Sequence, residues 1–276
     1  MNTSNAVRAE ILTQAVPYIK EYTGKYVVAK YGGNAMTDPQ LKKSVMQDIL
    51  LLQLVGVKVI LVHGGGPEIS AMMKKLSIES HFENGLRVTD DNTMEVVQMV
   101  LAGKVNKSLA ADLSALGGKA VGLCGIDGGL IKVHKKDEKL GNVGEIDEID
   151  TKILDDLLDG GFIPVISSIG IDDEGNAYNI NADTLHAESM VVMSNINGVL
   201  KDKNDENSLI SQISLADAEE LKKSGIIAGG MIPKVDCCTN AVKEGVKKVF
   251  IINGEIPHAI LIELLTDEGL GTMFTK

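Results

Sequence analysis

The sequence has no tryptophan, and its 4 Phe and 5 Tyr make up 3% of 276 residues. It has no excess of positive charge either: 27 Lys and Arg stand against 38 Asp and Glu, a formal net charge of −11. An acidic chain poor in aromatics lacks both the electrostatic footprint and the stacking side chains of a nucleic-acid binder. Long hydrophobic runs are missing. Stretches such as Val59–Val62 and Met190–Met193 fall far short of the roughly 18 residues of a membrane span. The first 25 residues contain no apolar core of a signal peptide. Cysteine is limited to Cys124, Cys237 and Cys238, an odd number without metal-ligand spacing. Adjacent cysteines rarely pair, so the expectation is reduced thiols in a cytoplasmic protein. Among the charged residues arginine is scarcest: only Arg8 and Arg87. In so lysine-dominated a chain an arginine is a candidate for a task lysine cannot do, such as a planar two-point contact with a carboxylate.

What is present is glycine, 29 residues of it, and a regular alternation of short apolar runs with helical patterns. Strands are expected at Tyr26–Ala29, Lys58–Val62, Ala120–Leu123, Ile163–Ser167, Met190–Met193 and Lys248–Ile252. Helices are expected at Gln40–Val55, Pro67–Leu76, Asp91–Leu116, Thr151–Gly160, Leu215–Ser224, Ile232–Glu244 and Pro257–Leu265. Runs that are apolar throughout suit strands covered on both faces. The alternation therefore predicts an α/β fold, a three-layer αβα sandwich around a mostly parallel central sheet. Leu130–Ile149 and Ile169–Tyr178 read as hairpins on that sheet, the second turning at DDEGN. With no Pro/Ser-rich linker, residues 1–276 are expected to form one domain whose two lobes, 26–170 and 171–276, meet near residue 170. Residues 1–25 stand apart as a helical arm. Val7, Ile11, Leu12, Ala15 and Ile19 share one face of it, and Pro17 should kink it. The arm either docks on its own domain or packs on another subunit.

Four segments fall at the carboxyl ends of expected strands, where open α/β sheets bind ligands. In VVAKYGGNAM, a strand ends at Lys30 and Gly32-Gly33 follow. The pair reads either as backbone N–H groups and a point charge for an anion, or as a tight turn with a solvated lysine. In VILVHGGGPEIS, Gly64, Gly65 and Gly66 precede a helix opened by Pro67, a potential anion site that is neither a P-loop nor a dinucleotide fingerprint. His63 is a ligand, a base, or a histidine that only hydrogen-bonds at the strand end. In AYNINADT, Asn179, Asn181 and Asp183 alternate. Asp183 orients lysines or a metal, or caps the next helix. In IIAGGMIPKVDCC, Gly229-Gly230 precede a helix with Lys234 in its first turn. The dipole there disfavours a cation, which favours an anionic partner. Two glycine-flanked lysines, a glycine triplet and a carboxylate at strand–helix junctions suggest phosphoryl transfer, which needs mainly positioning and charge neutralisation.

These segments, with ENGLRVTD, GGKAVGLCGIDGGLI, NVGEI, NINGVLKD and LLTDEGLGTMF, resemble the amino-acid kinase family in family order over nearly the whole chain. ENGLRVT together with NINADT resembles the branch that phosphorylates N-acetyl-L-glutamate. The resemblance implies transfer from ATP, with Mg²⁺ held through the nucleotide, to the γ-carboxylate of N-acetyl-L-glutamate, as the second step of arginine synthesis. It implies catalytic roles for Lys30 and Lys234, which neutralise the transferred group, and for Asp183, which orients them. It implies substrate binding by Gly65, Gly66, Arg87 and Asn179. Nucleotide binding is implied for Gly32, Gly33, Asn195, Gly198, Leu200, Ile226, Ala228 and Gly230. It further implies an L-arginine inhibitor site at Glu263 and Gly269, with no protein-held metal. The kinked arm resembles the one that joins homodimers into a hexamer of three dimers. On this basis residues 26–170 bind the acyl substrate and dimerise, and 171–276 bind ATP. The segment between Asp183 and the strand at Met190 is about eight residues, or two helical turns, shorter than in the family. The shortening motivates one alternative, a catalytically impaired arginine-binding subunit; the other is a related kinase acting on glutamate, aspartate or carbamate, because a fold does not fix its substrate.

Overall fold

The computed structural model describes residues 4–32, 36–83, 85–180, 189–267 and 269–276. Ser4 caps α1 (Asn5–Gln14), its hydroxyl accepting from the Val7 N–H at 3.3 Å. Pro17 then lies in the first turn of α2 (Val16–Tyr22). Having no N–H, it cannot continue the ladder of α1, and the arm bends by 37°. No residue of α1 is buried, and Ile11 and Leu12 are 56% and 71% exposed. The apolar stripe of α1 therefore stays uncovered among the described residues, whereas α2 buries Tyr22.

The chain continues through β1 (Tyr26–Tyr31), α3 (Pro39–Leu54), β2 (Lys58–His63), α4 (Gly66–Lys75), β3 (Phe82–Glu83), β4 (Leu86–Arg87), α5 (Asp91–Gln98) and α6 (Asn106–Ala115). Next come β5 (Ala120–Cys124), β6 (Ile131–Lys135), β7 (Gly144–Ile149), α7 (Lys152–Asp159), β8 (Ile163–Ser167), β9 (Ile169–Ile171) and β10 (Ala177–Asn179). The last part holds β11 (Ser189–Ser194), β12 (Gln212–Ser214), α8 (Leu215–Lys223), α9 (Ile232–Lys243), β13 (Lys248–Asn253), α10 (Ala259–Leu265) and β14 (Thr272–Thr275). Two compact units emerge. One contains α1 to α3, β11 to β14 and α8 to α10, and the other contains α4 to α7 and β3 to β10.

In the first unit, β11 and β13 run parallel, Ser189 opposite Lys248 through Ser194 opposite Asn253. Their runs SMVVMS and KVFIIN are buried almost throughout, as expected of strands covered on both faces. β14 pairs antiparallel with β13 and parallel with β12, which makes the sheet mixed. This edge is absent from the sequence reading, because TMFT is too short to show a period. In the second unit, β8 lies between β2 and β5, parallel to both, and His63 and Cys124 each face Ser167 in the ladders.

Two expectations need correction. The hairpins β6–β7 and β9–β10 form, but they do not extend the main sheet; they make a separate four-stranded sheet in the order β10-β9-β6-β7. The pattern of β6 explains this. Ile131 and Val133 are buried while His134 and Lys135 are exposed, the alternation of a sheet with one wet face. The helix expected over Asp91–Leu116 is interrupted by π-helix at Met99–Val105, where the Asn106 N–H reaches back five residues to the Leu101 carbonyl.

Candidate active site

In the second unit the glycine triplet links β2 to α4. Helix α4 starts at Gly66, one residue before the expected Pro67, and Gly65 caps it. A Cβ on Gly65 would fall 2.6 Å from Leu101 Cδ2, so the π-helical stretch packs directly on the loop. The N–H groups of Gly65 and Gly66 have no protein acceptor among the described residues. With the first turn of α4 they form a donor surface for an anion.

Arg87, on β4, is 7% exposed. Its Nη1 donates to Ser80 Oγ at 3.0 Å and to Met73 Sδ at 3.3 Å. Its Nη2 donates to Ser70 Oγ at 2.8 Å and to the Gly66 carbonyl at 3.2 Å. The guanidinium also lies 4.7 Å from the centre of the Phe82 ring. All these partners are neutral, and burial lowers the Arg87 pKa from its usual value. A cation held this way is suited to an anionic ligand. On β10, Asn179 donates from Nδ2 to Thr89 Oγ1 at 3.4 Å, and Thr89 Oγ1 donates to the Arg87 carbonyl at 2.9 Å. The glycine loop, Arg87 and Asn179 are thus linked through short contacts. Lys30, in the same unit, is half-buried one residue before the end of β1, which runs on to Tyr31 instead of stopping at Lys30, and Gly32 follows the strand. Gly33 lies outside the described residues.

In the first unit, Lys234 stands in the first turn of α9. Its Nζ donates to Ser194 Oγ at 2.6 Å and to Asn195 Oδ1 at 3.4 Å, both at the carboxyl end of β11. Burial lowers its pKa, and no carboxylate among the described residues offsets the charge. Gly198 has φ +126°, and a Cβ there would fall 2.6 Å from Thr272 Oγ1. The Thr272 hydroxyl instead accepts from the Val199 N–H at 2.8 Å and fixes the turn that leads to Leu200. Ile226 and Ala228 are exposed on either side of buried Ile227, and Gly230 belongs to a short 3-10 turn before α9. A cation with neutral partners, exposed apolar groups and a glycine turn fit a nucleotide polyphosphate and its base. Asp183 and the shortened segment after it lie outside the described residues.

Also in the first unit, a cavity of about 280 Å³ is lined by Tyr18, Glu21, Tyr22, Lys248, Glu263 and Gly269, among others. Glu263 Oε2 accepts from the N–H groups of Leu270 at 2.6 Å and Gly271 at 3.1 Å, while burial raises its pKa. Lys248 pairs with Glu21 at 2.7 Å. The residues from α2 were missed in the sequence, although Tyr18, Glu21 and Tyr22 follow Pro17 at helical spacing. Ser70, Met73, Ser80 and Ser194, which hold the two cations, were missed as well. Nothing in their spacing marks them.

Glycine-loop N–H donors beside Arg87 in one unit, and Lys234 with neutral partners at the end of parallel strand β11 in the other, are the features of an α/β protein suited to anionic ligands. The chain belongs to the amino acid kinase family, which it matches over residues 25–253. It is 56% identical to the acetylglutamate kinase of Brachyspira hyodysenteriae over 285 aligned positions, covering 100% of this chain and 99% of that one. It is 50% identical to the acetylglutamate kinase of Clostridium kluyveri, covering 96% of this chain and 97% of the relative. Among solved structures, the N-acetylglutamate synthase of Neisseria gonorrhoeae with coenzyme A and N-acetyl-glutamate superposes with a TM-score of 0.84 at 25% identity. That match covers 99% of this chain, which spans 64% of the longer synthase chain. The Giardia lamblia carbamate kinase bound to AMP-PNP shares the fold, with a TM-score of 0.67 at 18% identity, over 92% of this chain and 99% of its own. Among the described residues, no helix is long and apolar enough to cross a membrane.

Proposed function

We propose that the protein transfers the γ-phosphoryl group of ATP to the γ-carboxylate of N-acetyl-L-glutamate, giving N-acetyl-L-glutamyl 5-phosphate and ADP. The observation that carries this reading is buried Arg87, a cation with only neutral partners, seated against the glycine loop within ENGLRVT. The two close relatives, each an acetylglutamate kinase matched almost end to end, support it. In this reading a γ-carboxylate oxygen attacks the γ-phosphorus and the bond to the β,γ-bridging oxygen breaks. The acceptor is already ionised, so no base is needed. Lys30 and Lys234 offset charge on the transferred group, and Asp183 orients the lysines. Arg87 and Asn179 hold the substrate, and Gly65 and Gly66 offer it N–H groups. Gly32, Gly33, Asn195, Gly198, Leu200, Ile226, Ala228 and Gly230 serve the nucleotide, whose phosphates carry Mg²⁺.

The same reading includes feedback inhibition by L-arginine. The cavity beside α2 offers carboxylates for a guanidinium and an α-ammonium group, and Glu263 is placed among them. The uncovered apolar stripe of α1 fits the arm of a hexamer built from dimers. Release of ADP dependent on N-acetyl-L-glutamate tests the activity. Turnover with glutamate, aspartate or carbamate instead would reassign the substrate, and arginine binding without turnover would make the chain a regulatory subunit. Removing the charge of Glu263 by Glu263→Gln is expected to raise the half-inhibiting arginine concentration about tenfold or more, because hydrogen bonds to charged groups contribute about 1.5–3 kcal/mol. Unchanged inhibition would remove Glu263 from the inhibitor site.

A further inference from the structure

The last residue of β2, His63, is 1% exposed and lies beside the glycine loop. Its Nδ1 is 2.8 Å from the Gly64 carbonyl, which only accepts, so Nδ1 carries the proton. The bare Nε2 then accepts from Asn106 Nδ2 at 3.1 Å. Asn106 is fully buried, and the same Nδ2 lies 2.8 Å from the Val165 carbonyl and 3.1 Å from the Leu123 carbonyl. Its Oδ1 accepts from Lys107 Nζ at 3.2 Å. Three acceptors around one end of the amide and a donor at the other fix which way Asn106 faces. One side chain thereby ties the ends of β2, β8 and β5 together. A Cβ on Gly122 would collide with Asn106 Oδ1, so β5 carries glycine where this amide passes.

Asn106 occupies this place because of the π-helical stretch that precedes it, and the same stretch sets Leu101 against Gly65. Burial lowers the His63 pKa to about 4, so the ring stays neutral at working pH and keeps its lone pair for Asn106. The consequence falls on the peptide between Gly64 and Gly65. In a planar trans peptide the carbonyl and the following N–H point in opposite directions. Holding the Gly64 carbonyl on the buried ring turns the Gly65 N–H away from it, onto the face where it has no protein acceptor.

We propose that His63 and Asn106 form a positioning pair that fixes the Gly64–Gly65 peptide so that the Gly65 N–H is presented to a carboxylate or phosphoryl oxygen of the acyl substrate. This rests on the functional reading above and extends it to residues that do not touch substrate. Neither side chain is a catalytic residue.

Two measurements on the full-length protein test the pair. Imidazole ¹⁵N–¹H spectra of the wild type should show His63 protonated at Nδ1 and bare at Nε2 from pH 5.5 to 8. A ring protonated at Nε2, or titrating in that range, overturns the arrangement. In Asn106→Asp the donor facing the ring becomes an acceptor, which should move the proton to Nε2 and release the Gly64 carbonyl. The KM for N-acetyl-L-glutamate should then rise about tenfold or more, the scale of one lost hydrogen bond to a charged group. The KM for ATP should stay within about twofold. His63→Leu, which removes both bonds while filling the buried volume, should give the same split and serves if Asn106→Asp does not fold. Unchanged KM values in a folded variant, or equal rises for both substrates, would overturn the proposal. Wild-type protein without N-acetyl-L-glutamate-dependent turnover would instead overturn the functional reading, and the two failures are distinguishable.

Discussion

Replacing Arg87 by lysine keeps the charge and removes the fork, so it isolates what the planar group contributes. One edge of the guanidinium reaches Ser80 and Met73, and the other reaches Ser70 and the Gly66 carbonyl. A single ammonium cannot serve both edges. At least one charge-assisted bond to a hydroxyl is lost, at about 1.5–3 kcal/mol. The contact with the Phe82 ring weakens too, by about 0.5–1 kcal/mol at so exposed a ring. The expected loss of stability is therefore about 2–4 kcal/mol, read as a shift of the urea unfolding curve followed by circular dichroism. The kinetic expectation is separate. Moving the positive charge from its place against the glycine loop should raise the KM for N-acetyl-L-glutamate about tenfold or more, each 1.4 kcal/mol being a factor of ten. The KM for ATP should not follow. An unfolding curve that does not move would refute the reasoning about the buried fork. A destabilised variant with unchanged KM values would leave Arg87 a structural cation and remove it from the substrate site.

Gly198→Ala places a Cβ at φ +126° within 2.6 Å of Thr272 Oγ1 and 2.8 Å of Leu209 Cδ1, so we expect a loss of about 2–4 kcal/mol in urea unfolding and a raised KM for ATP. Wild-type stability would show that the turn has room to shift. Asp48 on α3 is fully buried, bonds His258 Nδ1 at 2.6 Å, and has its pKa raised by burial to about 6. Its folded state holds a proton more tightly than the unfolded chain, so its contribution to stability is greatest below about pH 4 and declines as pH rises through about 6. The decline totals about 3 kcal/mol. The difference in stability between wild type and Asp48→Asn should therefore move against the wild type over that window and level off above it. A difference that is constant from pH 4 to 7 would contradict the assignment.

The core strands were legible because they are apolar on both faces. The runs at β2, β8, β11 and β13 admit no other reading, and the observed boundaries lie within one residue or so of those expected. Arg87 was legible for a different reason, its rarity. Its partners were not, because Ser70 and Met73 lie 17 and 14 residues away and meet it only after α4 has folded back. The four-stranded side sheet illustrates another limit. Alternation in β6 and β7 shows that one face is wet, but not which strands will be neighbours, and the parallel contact of Lys132 with Ile171 had no local signal. The cavity beside α2 divides in the same way. Glu263 and Gly269 were found by resemblance to a family segment, while Lys248 enters only through the register of β13.

The π-helical stretch at Met99–Val105 gives this helix a reserve of length. Each α-helical residue turns the axis by about 100° and advances it about 1.5 Å. A π-helical turn, closed five residues back instead of four, takes up about one residue more than an α-helical turn. Deleting one residue between 99 and 105 would therefore give a regular helix with Asn106 and the buried Leu109 and Leu113 still facing the sheet. A deletion between Asn106 and Leu113 has no such reserve and would swing Leu113 roughly a quarter turn off the sheet.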